Sequence, residues 1–380
     1  MQAVDQLHIE PEVIERLRLA LKGFAPATPE NVRVRSGRGH RIRVPPETLP
    51  LAPLPYLVLL AIGCKNLGRG EKLAWAVPFA FEGAYCELSS EKFGLRLFID
   101  KEAAGDASEV SAIAGRILSR LNKGQRLLDA RVLRPLAMEE LRAGRVILRN
   151  QYYQLRETYE YFREGAQLAY AGKGRANRPN RIFAVEAEAF HNTIAMVGAY
   201  FSLLEHLLVM VTPFLNNTLL GQDLLDLIGD KWSTKFRKTL GVDDPIAKRF
   251  HDEFRRISEE YRNTFAHGGF DKSRATMGFR IPGVGWLPAM LSDIRDSPHF
   301  NFVPANQTDY GKICALFDEF DGWVESVAAV HGMIWVKAGL DVRFDEEFRA
   351  DLLRSLDDDT YMEFVESTSD LVDLHTNMDY

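Results

Sequence analysis

Seven apolar side chains constrain this chain more than any other feature of it. Phe190, Ile194, Val197, Phe201, Leu204, Leu208 and Val211 follow one another in alternating steps of four and three, and Pro213 closes the run. That spacing places all seven on one face of an α-helix roughly six turns long. Such a stripe must be buried against other helices, and the sequence supplies them. Lys231 to Leu240 is a basic amphipathic piece stopped by Gly241. Pro245 opens a helix with Phe250, Phe254, Ile257 and Tyr261 on one face. Ile313, Phe317, Phe320, Val324, Val327, His331 and Ile334 mark a last one. Residues 270–308, with Pro282, Gly283, Gly285, Pro288 and Pro298, read as an irregular insertion. The second half is therefore expected to be a helical bundle.

The first half carries other periods. Trp75, Val77, Phe79 and Phe81 alternate at period two, Gly83 marks a turn, and Tyr85–Leu88 and Phe93–Ile99 continue as a small antiparallel meander. Short helices are expected over Glu12–Leu21 and Ser108–Asn122, and a long one from Ile147 to Tyr170. The expected class is α+β, a small mixed α/β domain followed by a mainly α-helical bundle. The low-complexity stretch GKGRANRPNR sets the boundary. The expected domains are 1–171, a linker at 172–181, the bundle at 182–340, and an acidic, weakly packed tail at 341–380.

Charge narrows the partners. The whole chain carries −6, which excludes a basic nucleic-acid coat. The charge is uneven, because residues 341–380 hold thirteen acids against three arginines. The remainder is net positive, with clusters at Arg33, Arg35, Arg38, Arg41 and Arg43 and at Lys173, Arg175, Arg178 and Arg181. Such a body suits a polyanion, and the tail is expected to lie over it, so that truncation at Leu340 raises activity. Three scattered cysteines, Cys64, Cys86 and Cys314, imply a reducing compartment. The apolar run Leu51–Cys64 is too short to span a bilayer, which takes about 20 residues. Met1–Ala20 is too charged for a signal peptide. The expectation is a cytoplasmic protein with no membrane partner. Trp75, Tyr85 and Phe93 are read as the core of the small sheet, and His191 and His206 as packing or surface groups rather than metal ligands.

One segment carries candidate chemistry: Tyr261-Arg262-Asn263-Thr264-Phe265-Ala266-His267-Gly268. Histidine moves protons near neutral pH. Arginine is permanently charged and forks onto two phosphate oxygens. Together they suffice to cleave RNA without a metal: the imidazole takes the 2′-hydroxyl proton and the guanidinium stabilises the extra charge on phosphorus. An arginine followed by a histidine at this spacing arises by chance about twice in a chain of this composition, and Arg35 with His40 is such a case. Context separates Arg262, whose motif ends an amphipathic helix at two glycines.

The Arg-Asn-x3-His form, downstream of a long helix bearing Leu203-Leu204-Glu205-His206, resembles the HEPN superfamily of all-α bundles, many of them metal-independent ribonucleases. The resemblance covers roughly residues 182–338. It implies that Arg262 and His267 are catalytic with Asn263 beside them, that Glu205 is a supporting first-helix acid, that no cofactor is needed, and that the active form is a homodimer with a composite site. It further implies an RNA substrate and a toxin-like or antiviral defence role. In family members silenced by nucleotide transfer a tyrosine stands two positions after the histidine; here that position is Gly269, so that regulation is not implied. Lys235, Arg237, Lys238, Arg255 and Arg256 are the cations expected to bind nucleic acid. On an ideal helix Arg262 and His267 stand roughly 140° apart, so they converge only if the helix ends between them or if two copies meet across a two-fold axis. The other reading of the same residues is a nucleic-acid-binding or oligomerisation module that does not cut. A regulatory partner or trigger would then act through residues 1–171.

Overall fold

The computed structural model describes residues 9–28, 39–100, 106–174, 184–215, 219, 221–263, 276–291, 298–299 and 307–377. The chain is α+β and forms two compact units, residues 1–141 with 366–380 and residues 142–365.

The first unit begins with α1 (Pro11–Ala20), β1 (Phe24–Pro26), β2 (Gly39–Arg43) and α2 (Pro53–Ala61). The meander follows as β3 (Leu73–Phe81), β4 (Ala84–Glu91) and β5 (Gly94–Asp100), and then α3 (Ala107–Leu128). The five strands form one antiparallel sheet in the order β1-β3-β4-β5-β2. Glu82 and Gly83 both have positive φ, the requirement of a two-residue type I′ hairpin whose twist matches its strands. Asp106 caps α3 by accepting from the backbone N–H groups of Ser108 and Glu109 at 2.8 and 2.9 Å. Val110, Ile117 and Leu121 of α3 join Val58, Phe79, Phe81 and Leu97 in one core. A Cβ on Gly124 would stand 2.9 Å from the Val58 side chain, so glycine is what lets α3 approach α2 there. Trp75 and Tyr85 are buried as expected, whereas Phe93 is exposed in the β4–β5 turn.

After a wide π turn, Asp129–Leu133, α4 (Arg134–Arg142) leads to the second unit. There β6 (Ile147–Leu148), α5 (Tyr152–Tyr170) and α6 (Ala184–Val211) come first, then α7 (Gln222–Gly229), α8 (Trp232–Thr239) and α9 (Pro245–Ile257). The helix expected from Ile147 therefore starts at Tyr152, because Ile147 and Leu148 pair as a strand with Arg343 and Val342. The domain division also differs from expectation. It falls between Leu141 and Arg142, and 172–181 connects two helices of the same unit. The reason is the pairing of α5 with α6: Gly165 lies against Asn192, Tyr159 against Tyr200, and Gln151 against His206. Tyr152, Tyr159 and Ala166 share a core with α6.

The stripe on α6 is buried as expected from Val197 onward, but so are Met196, Tyr200, Leu203, Leu207 and Met210 on its other sides. The C-terminal half is the central helix of the unit, apolar on most sides, with Ser202, Glu205 and His206 on the remaining one. Glu188–Leu215 is consequently long and apolar enough to cross a bilayer by length and composition, yet most of it is buried within the protein. Asp244 caps α9 through the Ala247 N–H at 2.8 Å, with Pro245 in the first turn.

Residues 270–308 are not wholly irregular. They contain β7 (Thr276–Ile281), β8 (Gly285–Leu291) and β9 (Pro298–His299) in one antiparallel sheet. Pro282 and Gly283 sit in the hairpin turn, and the period-two run Met277, Phe279, Ile281 leads into it.

The remaining elements are α10 (Gln307–Trp323), α11 (Val330–Lys337), β10 (Val342–Arg343), α12 (Glu346–Asp357) and α13 (Tyr361–Asn377). A π turn at Val324–Ala328 inserts a residue and rotates the buried face. Ala329, Met333, Val336 and Leu340 are therefore buried, while Val327 and His331 of the expected stripe are exposed. The acidic tail is well packed from Val342 to Val365, whereas 366–377 is almost wholly exposed. Val342, Phe344, Phe348, Leu352, Tyr361 and Val365 are in the core of the second unit, and Asp345 caps α12 at the Phe348 N–H, 2.9 Å away. Its apolar residues recur at helical spacing between the acids, which dominate the composition and hide that pattern. Asn150 ties the ends of the unit together. Its Nδ2 donates to the carbonyls of Val336 and Leu340 at 2.8 and 3.1 Å, and its Oδ1 accepts from the Tyr152 N–H at 2.9 Å.

Candidate functional site: a shared carboxylate beside a cavity

Glu205 follows Phe201 by one turn of α6, at the edge of the buried stripe, and is half-buried. Its two oxygens take different cations. Oε1 accepts from Arg262 Nη2 at 3.0 Å, and Oε2 accepts from Lys235 Nζ at 3.2 Å. The Arg262 guanidinium also lies over the Phe201 ring, 5.3 Å from its centroid. One turn of α6 thus grips the motif arginine from two sides, by a ring and by a carboxylate. Arg262 belongs to a π turn, Ser258–Asn263, that continues α9. Wide turns of this kind depart from 100° per residue and recur at functional sites.

The two cations differ in exposure. The Lys235 side chain is 7% exposed and that of Arg262 is 31% exposed. A buried ammonium cannot be left unpaired without a large desolvation loss, so Lys235 depends on Glu205. Arg262 is the more open of the two, and its guanidinium carries five N–H donors in all. Asn263 shares the π turn, and His267 lies outside the described residues, as do 264–270.

The other cations expected to bind nucleic acid are mostly engaged. Lys235 is no surface group, because α8 turns it inward against α6. Lys238 pairs with Asp230 at 2.7 Å. Arg255 pairs with Glu259 at 3.0 Å, and Arg256 with Glu253 at 3.0 Å and Glu260 at 3.2 Å. These last pairs lie three and four residues apart on one helix, so the basic run on α9 is neutralised along its own face. Arg237 is exposed, with no ion pair among the described residues. Of the first-half clusters, Arg41 pairs with Glu91, while Arg33, Arg35 and Arg38 lie outside the described residues together with Arg175, Arg178 and Arg181.

Beside Glu205 opens a cavity of about 280 Å³. Leu148, Arg149 and Gln151 line one side, Glu205, His206, Val209 and Met210 of α6 the floor, and Ile228 and Lys235 the far side. His206 Nε2 accepts the Gln151 N–H at 3.0 Å, so in the neutral ring the proton sits on Nδ1. Burial holds its pKa below the usual 6.5. His206 is therefore a packed group bordering a cavity. Sequence reading missed the cavity because its lining comes from β6, the start of α5, α6, α7 and α8, which no local pattern connects.

One further arrangement was not legible in sequence. Ser233 Oγ and His251 Nε2 stand 2.8 Å apart, and His251 Nδ1 lies 3.5 Å from the exposed Asp252 carboxylate. That last distance is at the limit of a hydrogen bond, so Asp252 does not orient the ring as a triad acid does. Among the described residues no three His, Cys, Asp or Glu side chains converge as metal ligands. No protein-family description, curated protein or solved structure matches the chain.

Proposed function

We propose that the second unit is a metal-independent endoribonuclease resembling the HEPN type. It cleaves RNA by internal attack of the 2′-hydroxyl, leaving 2′,3′-cyclic phosphate and 5′-hydroxyl ends. One observation carries this reading. Arg262, the arginine of the motif, meets Glu205, the first-helix acid that the resemblance expects to support it, across 57 residues of sequence. Glu205 and Phe201 fix the guanidinium, so its ordering is accomplished before substrate arrives. The N–H groups of its partly exposed guanidinium then meet the phosphate as charge grows on phosphorus; His267 takes the 2′-hydroxyl proton, the P–O5′ bond breaks, and the departing 5′-oxygen is protonated by an imidazolium or by water. Two copies of the motif meeting across a two-fold axis, with RNA between them, fit the spacing of Arg262 and His267. A cytoplasmic, host-protective role triggered through the first unit fits this activity.

The test is cleavage of RNA in EDTA by the full chain, with product ends mapped, against Arg262→Ala and His267→Ala. Cyclic-phosphate products lost in both variants are expected; equal cleavage by all three proteins overturns the reading.

A second reading has its own observation: Arg262 is held in an ion pair at a helix end, which a purely structural role also requires. On that reading the unit binds nucleic acid or pairs with itself and cuts nothing. Salt-dependent RNA affinity without cleavage identifies it. Tail-mediated closure is not part of either reading. Truncation at Leu340 would remove Phe348, Leu352 and Tyr361 from the core and unfold the unit rather than uncover it.

A further inference from the structure

We infer that the cavity beside Glu205 is a binding site for a small organic anion with a compact apolar body. The chemistry of its lining points there. Lys235 is an ammonium buried to more than nine-tenths, with three N–H donors. Among the described residues its one hydrogen-bond acceptor is Glu205 Oε2, at a long 3.2 Å. Buried charges ordinarily gather more partners than that. Arg149 stands exposed at the rim of the same cavity, with no ion pair among the described residues.

The local charge is positive. Glu205 is the cavity's acid, and it is shared between Lys235 and Arg262. Among the lining residues two cations, Lys235 and Arg149, stand with one carboxylate. An anionic head placed between Lys235 and Arg149 gains one buried ammonium and one guanidinium fork.

Apart from Gln151 and His206, the rest of the lining is apolar: Leu148, Val209, Met210 and Ile228. Methionine adapts to the shape it meets, and Ile228 is partly exposed at the mouth. The Gln151 N–H is already taken by His206, so the backbone there asks nothing of a ligand. A volume near 280 Å³ lies at the small end of ligand sites, which admits a compact body and excludes an extended polymer.

The site does not depend on the nuclease reading, and RNA cleavage enters none of its readouts. The experiment follows the methyl resonances of the nine methionines in the full chain, with Met210 assigned by Met210→Leu. Benzoate, 4-phenylbutyrate and phenyl phosphate are titrated as probes, with benzamide as the uncharged control. At least one anion is expected to move the Met210 methyl saturably, and benzamide to bind at least about tenfold more weakly. Carboxylate and phosphate heads are separated by comparing the first two probes with the third. Arg149→Ala, an exposed change that leaves the core alone, is expected to weaken the anion about tenfold. Val209→Trp, which fills the cavity, is expected to abolish the shift, and a second cavity-filling change, Ile228→Phe at the mouth, covers failure of that variant to fold. The inference is overturned if none of the three anions moves Met210, if benzamide binds as well as they do, or if Arg149→Ala leaves affinity unchanged.

Discussion

Two acids in the second unit face cations from other helices, and comparing them shows what makes one of them addressable. Asp321, on α10, is closed in. The Tyr200 hydroxyl donates to it at 2.8 Å, Arg156 of α5 covers its other side, and the Tyr200 ring stacks on Phe317 at 3.6 Å. Burial pushes the Asp321 carboxyl above the usual carboxylate range in spite of that arginine. Glu205, on α6, also takes two partners, but one of them is half exposed and the other borders a cavity. The bonding is alike in the two places, and the surroundings differ. Enclosure makes Asp321 a lock between helices, whereas Glu205 lies beside an open cavity and one of its cations is partly exposed.

Activity should separate the two places most sharply. His267→Ala is expected to lower RNA cleavage by about 10²–10⁴-fold, the usual contribution of a general base, and Arg262→Ala by about 10²–10³-fold. Asp321→Asn, assayed well below its melting temperature, should stay within about twofold. A comparable loss in Asp321→Asn would show that cleavage tracks folding and not the motif.

Stability should reverse the order. Asp321→Ala leaves the buried Tyr200 hydroxyl without its carboxylate and Arg156 with Glu160 alone, and is expected to destabilise by about 3–5 kcal/mol in urea unfolding. Glu205→Ala should cost less, about 2 kcal/mol, because Arg262 can turn to water even though Lys235 cannot. Equal losses would erase the distinction between lock and open site. Smaller changes sharpen it. Tyr200→Phe removes one hydrogen bond and should cost about 1 kcal/mol. Lys235→Met should fall within about 1 kcal/mol of the parent, since Glu205 retains Arg262 and a buried cation is exchanged for an apolar side chain.

The smallest effect is a pH dependence at the cavity. His206 has its pKa depressed below 6.5 by burial, with Glu205, Lys235 and Arg149 on the same cavity. A neutral, buried histidine contributes stability that is complete above the unfolded value and is lost as pH falls below 6.5 toward the folded pKa. Melting temperature should therefore decline over that range. His206→Gln should flatten the slope, and Asp321→Ala should leave it in place. An unchanged slope in His206→Gln would remove His206 from the account.

Much of the scaffold was legible in the sequence. The strands of the meander, the start of α3, the opening of α9 at Pro245 and the stripe of α6 all follow from spacing and caps over a few residues, while α3 runs six residues past the expected Asn122. Legibility failed where a wide turn changed the count, as at Val324–Ala328, and where breakers served as a hairpin turn, as at Pro282 and Gly283. It failed again in the tail, where thirteen acids hid the apolar positions that anchor 342–365 in the core. Within the candidate site, the type of each residue was visible. Arg262 and Glu205 were expected near one another, but Lys235 was expected on the surface. Whether a cation at a given position of an amphipathic helix points outward depends on which neighbour that helix meets, and α8 meets an acid of α6.

The amino-acid order alone determined what each segment becomes. Hydrogen bonds four residues apart, side chains alternating across a strand, and caps such as Asp106 and Asp244 act within one or two turns and need no partner from elsewhere. Tertiary structure decided which charges meet. Glu205 with Lys235 and Arg262, Asn150 with the carbonyls of Val336 and Leu340, and the cavity walled by five separate elements are joined across tens to nearly two hundred residues. Those meetings depend on how apolar faces dock, and docking geometry belongs to the packed whole.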